Sequence, residues 1–318
     1  MFSLQTRMMM LLGVLFAIVY AIVVMVGTSM GVTNFYFYLV ISVGIMLVQY
    51  MIGPKMVEWT MGVRYIQRED FPELFAMVED QATRAGIPIP RVCVSQSEIP
   101  NAFAFGRGQR DGRVCVTKGI VDLLEEDELK AVIGHEITHL KNRDVLTITI
   151  LSVIPMILYR IAWSFLFYGG RGRERGNAAF VGLAAFIFYF ITNLLILYAS
   201  RIREYFADKG SVELGNPPAK LASALYKLVY GAARLDKDVI REAEGMKAFF
   251  ASDPSRASAE IRELKELDQD GSHSIDSAEL SALRNREINV SFTDKMMEIL
   301  STHPNMLKRI KHLSTLEH

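Results

Sequence analysis

The segment Ala131 to Leu140 reads AVIGHEITHL, with two histidines four positions apart and a glutamate directly after the first. On a helix, residues i and i+4 share a face one turn apart, so the imidazoles of His135 and His139 can grip a single metal ion. Glu136 can then reach a water molecule at the open position of a tetrahedral site and take its proton as the water attacks a peptide carbonyl. No nucleophilic side chain is needed. The chain contains six histidines, and two of them fall in this frame between the apolar Val132, Ile133, Ile137 and Leu140, which weighs against a chance pair on a surface helix. A catalytic site of this kind takes a third protein ligand, a histidine or a carboxylate. The extension HExxHxxGxxH is missing, because Asn142 and Val145 stand where it needs glycine and histidine. The third ligand must come from farther along the chain.

The best candidate is Glu204 in SRIREYFAD, residues 200–208, with Asp208 one helical turn later on the same face. In this arrangement Glu204 is the ligand and Asp208 accepts a histidine N–H, as groups behind metal ligands commonly do. With Arg201, Arg203 and Lys209 alongside, the same residues also read as a solvated charged face. Composition alone does not separate the two.

Around these motifs the chain is strongly apolar, 51% hydrophobic, while Lys plus Arg equals Asp plus Glu at 35 each. That balance gives no field suited to nucleic acid, and no such partner is expected. The apolar residues gather in uncharged runs. Residues 8–27 are long enough for the ~30 Å hydrocarbon core of a bilayer, and they lack an A-x-A-like cleavage site. Residues 35–53 follow after a short loop, so 1–53 is expected to form a membrane hairpin. Residues 54–144 have a soluble character: a helix at 72–86, β-like stretches at 90–95, 102–106 and 113–118 with the last two as a hairpin, and a helix or helix pair at 122–144. The run 145–168, interrupted by Pro155 and Arg160, and the uncharged run 178–200 read as a second hairpin within 145–200. It is transmembrane, re-entrant or a buried pair. Residues 201–318 are mostly helical and complete the catalytic part. The fold class expected is mainly α with a small β-sheet (α+β), a zincin-like metalloprotease domain combined with two membrane hairpins. Cys93 and Cys115 each sit in Arg-Val-Cys-Val without CxxC spacing, as buried strand residues in a reducing compartment.

Since Glu204 and the two histidines must meet at one metal, residues 144 and 200 lie on the same side of the membrane, and 145–200 crosses it an even number of times or not at all. Arg7, Lys55, Arg64 and Arg68 flank the first hairpin, whereas the loop 28–34 is uncharged. The positive-inside rule then places the N-terminus, catalytic domain and C-terminus in the cytoplasm of a multi-pass plasma (inner) membrane protein. Arg171, Arg173 and Arg175 run against that rule if 145–200 spans the membrane. The apolar run begins a few residues after HExxH, so the metal is expected near the membrane surface.

Four motifs in order, NAFAFG (101–106), HEITHLKNRD (135–144), SRIREYFAD (200–208) and STHPNMLKRI (301–310), resemble the HtpX branch of the gluzincin family that also contains the CAAX prenyl proteases. The resemblance covers most of the chain outside roughly 235–295. It implies one catalytic zinc ion with Glu204 as third ligand, and Asp208 and Asp144 as groups supporting the ligands. It also implies that a strand with Asn101, Ala102, Phe103 and Ala104 borders the cleft and pairs with extended substrate, which an edge strand does through its open backbone groups whatever the substrate sequence. His303 lies on the family's HP motif. It reads either as an oxyanion stabiliser near the metal or as part of a helix N-cap region with Ser301, Thr302 and Pro304. Similar proteins are membrane-bound endopeptidases that degrade misfolded or damaged membrane proteins under stress, so the partners implied are the lipid bilayer and unfolded or membrane-protein substrates. A CAAX prenyl protease is the enzymatic alternative, though those have more membrane segments. A non-catalytic scaffold with structural zinc has no use for Glu136.

Residues 257–286 depart from that family. DQDGSHSIDSAE, 268–279, resembles an EF-hand loop: Asp268, Asp270, Ser272, the Ser274 carbonyl, Asp276 and Glu279 occupy loop positions one, three, five, seven, nine and twelve. His273 replaces the glycine of position six. The segment reads either as a calcium loop or as a polar helix-loop-helix insertion.

Overall fold

The computed structural model describes residues 35–144, 174–234, 266–286 and 298–316, with isolated positions between 147 and 165 and at 260, 261, 264, 288 and 296. The apolar run 8–27 and most of 145–173 lie outside the described residues. The chain divides into two compact units, Met1–Ile52 with Leu146–Ser200, and Gly53–Val145 with Arg201–His318.

In order, the described elements are α1 (Phe35–Thr60), β1 (Val63–Tyr65), α2 (Pro72–Ala85), β2 (Arg91–Ser95), β3 (Ala102–Gly106), β4 (Gly112–Thr117), α3 (Lys118–Leu123), α4 (Glu126–Lys141), α5 (Glu174–Glu213), α6 (Pro218–Ala233), α7 (Ser277–Leu283) and α8 (Met306–Ser314). The protein is mainly helical with one small sheet, as the sequence pattern requires. Of the candidate membrane segments, 35–53 is the first part of α1, which continues past Pro54. The uncharged run 178–200 is the middle of α5, and the helix does not break at Arg201 but runs on to Glu213.

The four strands lie in the order β1-β2-β4-β3. The hairpin of β3 and β4 is antiparallel, and β2 pairs with β4 in parallel. A three-residue β1, which has no periodic signal of its own, adds antiparallel to β2. Alternation along the strands sorts the two faces. Val92, Val94, Ala102, Val114 and Val116 pack into the main core with the helices, while Cys93, Phe103, Phe105 and Cys115 form a second apolar cluster with Met61 and Ile99. The aromatic side of β3 therefore faces away from the main core, toward Val57 near the end of α1, and Ala102 and Ala104 face the main core. Among the described strands, β3 lies at an edge.

Helix α4 carries the HExxH segment and is buried from Ala131 to Thr138. Its first turn is fixed by a reciprocal capping box between Glu125 and Glu128. Glu128, itself buried, is tied to α6 by Ser223 (2.6 Å) and Lys227 (2.9 Å). The C-terminal part of α5 reaches α4 through glycines. A Cβ on Gly210 would stand 2.3 Å from Thr138 Cγ2, and one on Gly134 would stand 2.3 Å from Asn216 Nδ2. Ser211 Oγ donates to the Ala131 carbonyl at 2.6 Å, and Asn216 Nδ2 donates to Gln81 Oε1 at 2.8 Å, so the polar groups at this close approach are satisfied.

The crowding sets a sign that helix propensity would reverse. Gly→Ala in an open helix stabilises by ~0.5–1 kcal/mol. Gly53, with no atom within 4 Å of its ideal Cβ, should follow that rule. Gly210→Ala should instead destabilise by ~1–3 kcal/mol through overpacking. Thermal unfolding of both variants in detergent checks this: the melting midpoint should fall for Gly210→Ala and hold or rise for Gly53→Ala.

Candidate metal centre

The close approach of α4 and α5 brings the expected ligands together. His135 Nε2 lies 3.1 Å from His139 Nε2, 3.6 Å separates it from Glu204 Oε2, and His139 Nε2 is 3.5 Å from Glu204 Oε1. Zinc–ligand bonds of ~2.0–2.1 Å at tetrahedral angles place ligand atoms about 3.3 Å apart, so these three separations match the edges of one coordination polyhedron. The other ring nitrogens are held from behind. His139 Nδ1 is 2.6 Å from Asp144 Oδ2, and His135 Nδ1 is 2.9 Å from Asp208 Oδ1. With a carboxylate beside each Nδ1, each ring presents Nε2 to its neighbour and to a third carboxylate. Ligand atoms that converge like this repel unless a cation stands between them. The donor set fits zinc.

The electrostatics point the same way. Asp208 is fully buried and Glu204 is 5% exposed. Burial opposes a charged His135, yet its contacts with Asp208 and Glu204 outweigh that and push the imidazole up to about 10, a measure of how strongly the site draws positive charge. Glu204 lies beyond the apolar run. Burial would raise its pKa, but His303 and Arg309 hold the carboxyl well below its usual range. His303 Nδ1 is 3.3 Å from Glu204 Oε2, so the structure brings this histidine to the cluster.

Glu136, also buried, has its pKa raised, mainly by desolvation and in part by Glu204, against the opposing pull of His135 and His139. Its Oε2 accepts the backbone N–H of Ala104 at 2.7 Å. The base thus touches the edge strand through backbone. Of the strand residues singled out from the sequence, Ala104 meets the site, Phe103 turns to the opposite face of the sheet, Ala102 sits in the core between sheet and helices, and Asn101 is fully buried with its carbonyl accepting from the Thr117 N–H at 2.9 Å.

Three arginines have roles at the site that the sequence does not announce, Arg201 among them although it stands on the charged face beside Glu204. Arg309 on α8 is 1% exposed and grips both Asp208 oxygens, at 2.9 and 2.6 Å, while its Nη1 lies 3.1 Å from Glu204 Oε2. Burial disfavours its charge, but the two carboxylates raise its pKa above its already high value. The only sequence signal was its place in the 301–310 motif. Arg201 donates to the carbonyls of Glu298, Ile299 and Ser301 at 2.8, 3.0 and 2.8 Å and so fixes the loop that presents His303. Arg143 takes the left-handed conformation, φ 57°, just after α4, and this turn aims Asp144 back at His139. No residue pattern announces such a turn.

The candidate calcium loop is a separate cluster. Asp268, Asp270 and Glu279 bring carboxylate oxygens within 4.8 Å of one another, and Asp276 is instead the N-cap of α7, accepting from the Glu279 N–H at 2.8 Å. The Ser272 N–H donates to Asp270 Oδ1 at 2.8 Å, and the Ser272 and Ser274 hydroxyls lie 2.9 Å apart.

Comparisons with known proteins agree with this geometry. Residues 67–317 match Peptidase family M48. The Protease HtpX homolog of Methanothermobacter thermautotrophicus is 50% identical over 227 residues, which covers 71% of this chain and 86% of that protein. The Protease HtpX homolog of Moorella thermoacetica is 35% identical over 316 residues, 97% of this chain and 92% of that protein. Among solved structures, the crystal structure of S. mikatae Ste24p is similar in fold, with a TM-score of 0.53 at 16% identity, covering 98% of this chain and 66% of that one. With the family match spanning most of its length and one such relative aligned nearly end to end, the chain belongs to peptidase family M48, among its HtpX-type metallopeptidases.

Proposed function

We propose that this chain is a membrane-bound zinc endopeptidase that cleaves unfolded or damaged membrane proteins near the bilayer surface. The observation that carries the proposal is the joint placement of His135, His139 and Glu204 around one point, with Glu136 beside them in contact with the edge strand β3. Zinc held by those three ligands would polarise the scissile carbonyl and lower the pKa of a bound water toward ~7. Glu136 takes the proton of the attacking water on its carboxylate and passes it to the leaving amine nitrogen. Its burial raises its basicity toward the working pH, as general-base catalysis favours. The open edge of β3 pairs with an extended peptide, and His303 donates to the oxyanion that forms on the carbonyl.

The membrane location rests on α5 and α1. Among the described residues, Ala179–Glu213 is long and apolar enough to cross a membrane. Phe180, Leu183, Ile187 and Phe190, spaced along one face, are each about half exposed or more. Leu47, Val48, Met51 and Ile52 of α1 are similarly exposed. Polar groups in the apolar run bond within the helix: Thr192 Oγ1 to the Phe188 carbonyl at 2.9 Å and Asn193 Nδ2 to the Tyr189 carbonyl at 2.8 Å. The multi-pass topology and the cytoplasmic orientation of the catalytic domain are part of the proposal, supported by the placement of basic residues around 1–53.

The direct test is cleavage by the zinc-loaded protein in lipid vesicles. It should digest casein and a destabilised membrane protein while leaving a well-folded one intact. Cleavage confined to a farnesylated CAAX peptide would favour the prenyl-protease reading, and zinc binding without any hydrolysis would favour a scaffold.

Glu136→Gln should keep full zinc content by metal analysis and lose ~10²–10⁴-fold in kcat. Its removal leaves the ligands and their supports untouched.

Glu204→Ala should lose both zinc and activity, whereas Asp208→Asn and Asp144→Asn should each weaken zinc affinity by ~10–100-fold. Competition for zinc against a chromophoric chelator ranks them. An Asp208 variant that loses more metal than Glu204→Ala would reverse the assigned roles.

A further inference from the structure

The loop at 268–279 holds a buried carboxylate that the described residues satisfy only in part. The Asp268 side chain is only 4% exposed. Its Oδ2 accepts from the Tyr226 hydroxyl at 3.1 Å and from the His273 N–H at 3.0 Å, but its Oδ1 is buried with no hydrogen-bond partner among the described residues. A carboxylate oxygen shut away from water costs free energy unless a donor or a cation meets it. Asp270 and Glu279 offer oxygens within 4.8 Å of the Asp268 ligand atom, and two oxygens bound to one calcium ion at 2.3–2.6 Å stand at most about 5 Å apart.

We propose that residues 268–279 form a calcium site, separate from the zinc centre, in which Asp268, Asp270 and Glu279 supply carboxylate oxygens, with the buried Asp268 Oδ1 among them, and Ser272 and the Ser274 carbonyl complete the shell, while Asp276 caps α7. The backbone already has the shape for it. His273, where such loops carry glycine, takes φ 61°, and its ring stacks on Tyr230 with centroids 4.6 Å apart, which holds the residue in a conformation that non-glycine residues seldom adopt. Ile275, the apolar eighth position, is 3% exposed and belongs to the main core. Oxygen ligands only, with a terminal glutamate able to bind through both oxygens, suit calcium over magnesium, which demands a tighter octahedron, and over zinc, which prefers nitrogen or sulfur.

The site sits against helices that back the metal centre. Tyr226 and Tyr230 belong to α6, and α7 leaves the loop to pack on α8, where Lys311 Nζ donates to the carbonyls of Leu283, Arg284 and Arg286 at 2.6, 2.8 and 2.8 Å. Helix α8 also carries Arg309. Calcium would neutralise the clustered carboxylates and clasp α7 to α6 and α8.

Isothermal titration of the full-length, zinc-loaded protein in detergent with CaCl₂, and in parallel with MgCl₂, tests the proposal. The wild type should bind one calcium with Kd on the order of 10⁻⁴ M, as suits a solitary loop with a strained turn, and its melting midpoint should rise by a few degrees at millimolar calcium. Asp270→Asn and Glu279→Gln should each weaken calcium binding by about tenfold or more, and casein cleavage measured without calcium should stay at the wild-type level as proof of folding. Asp268→Asn, where it folds, should do the same. Asp270 is exposed, so its variant decides the matter even if Asp268→Asn does not fold. No calcium heat in the wild type at millimolar concentration, equal heat with magnesium, or unchanged calcium heat in both Asp270→Asn and Glu279→Gln would each overturn it.

Discussion

Everything around the metal centre depends on balancing charge where water is scarce. Glu136, Asp144, Glu204 and Asp208 are all nearly or fully buried within reach of two imidazoles. Arg309 is the protein's own compensation, shared between Asp208 and Glu204. Leaving one partner of a buried pair uncompensated costs ~3–5 kcal/mol, a large part of the ~5–15 kcal/mol by which a domain is stable at all. A metal held by His135, His139 and Glu204 would share these anions with the arginine. Helix α8 is tied to the centre through the Arg309 guanidinium, which meets both Asp208 and Glu204.

The parts of this arrangement that were legible in the sequence are those whose geometry is local. His135, Glu136 and His139 follow from a helical repeat, and Asp208 lies one turn from Glu204 for the same reason. The hairpin of β3 and β4 shows in alternating apolar residues around a glycine-rich turn. What stayed hidden depends on contacts far apart in the chain or on single dihedral angles. The parallel pairing of β2 with β4 and the short β1 leave no periodic mark, and the partner of Arg309 is about a hundred residues away. Arg143 aims Asp144 through one positive φ. The strand at 102–106 is where alternation puts it, but Phe103 and Phe105 pack on the far side of the sheet, and the contact with Glu136 is made by the backbone of Ala104.

The division at residue 200 was drawn from hydropathy, where the charges begin. The backbone ignores it. One helix of 40 residues carries both the uncharged run and Glu204, with Gly210 farther on making the contact that seats it against α4. A helix is a poor place to put a boundary and a good place to put a ligand, since its hydrogen bonds fix the position of Glu204 more tightly than a loop would.

The two cysteines have a practical bearing on the membrane topology. Cys93 and Cys115 are register partners on adjacent strands, both fully buried as free thiols. Burial pushes the Cys93 thiol up to about 12 and raises that of Cys115 further. A thiol that is neither exposed nor ionised at neutral pH reacts slowly with maleimides and other alkylating reagents. The native chain should thus be nearly silent to such labels. A single cysteine placed in the loop 28–34 or near 171 would report its own side of the bilayer to an impermeant reagent, with no need to strip the natural pair from the core it helps to fill.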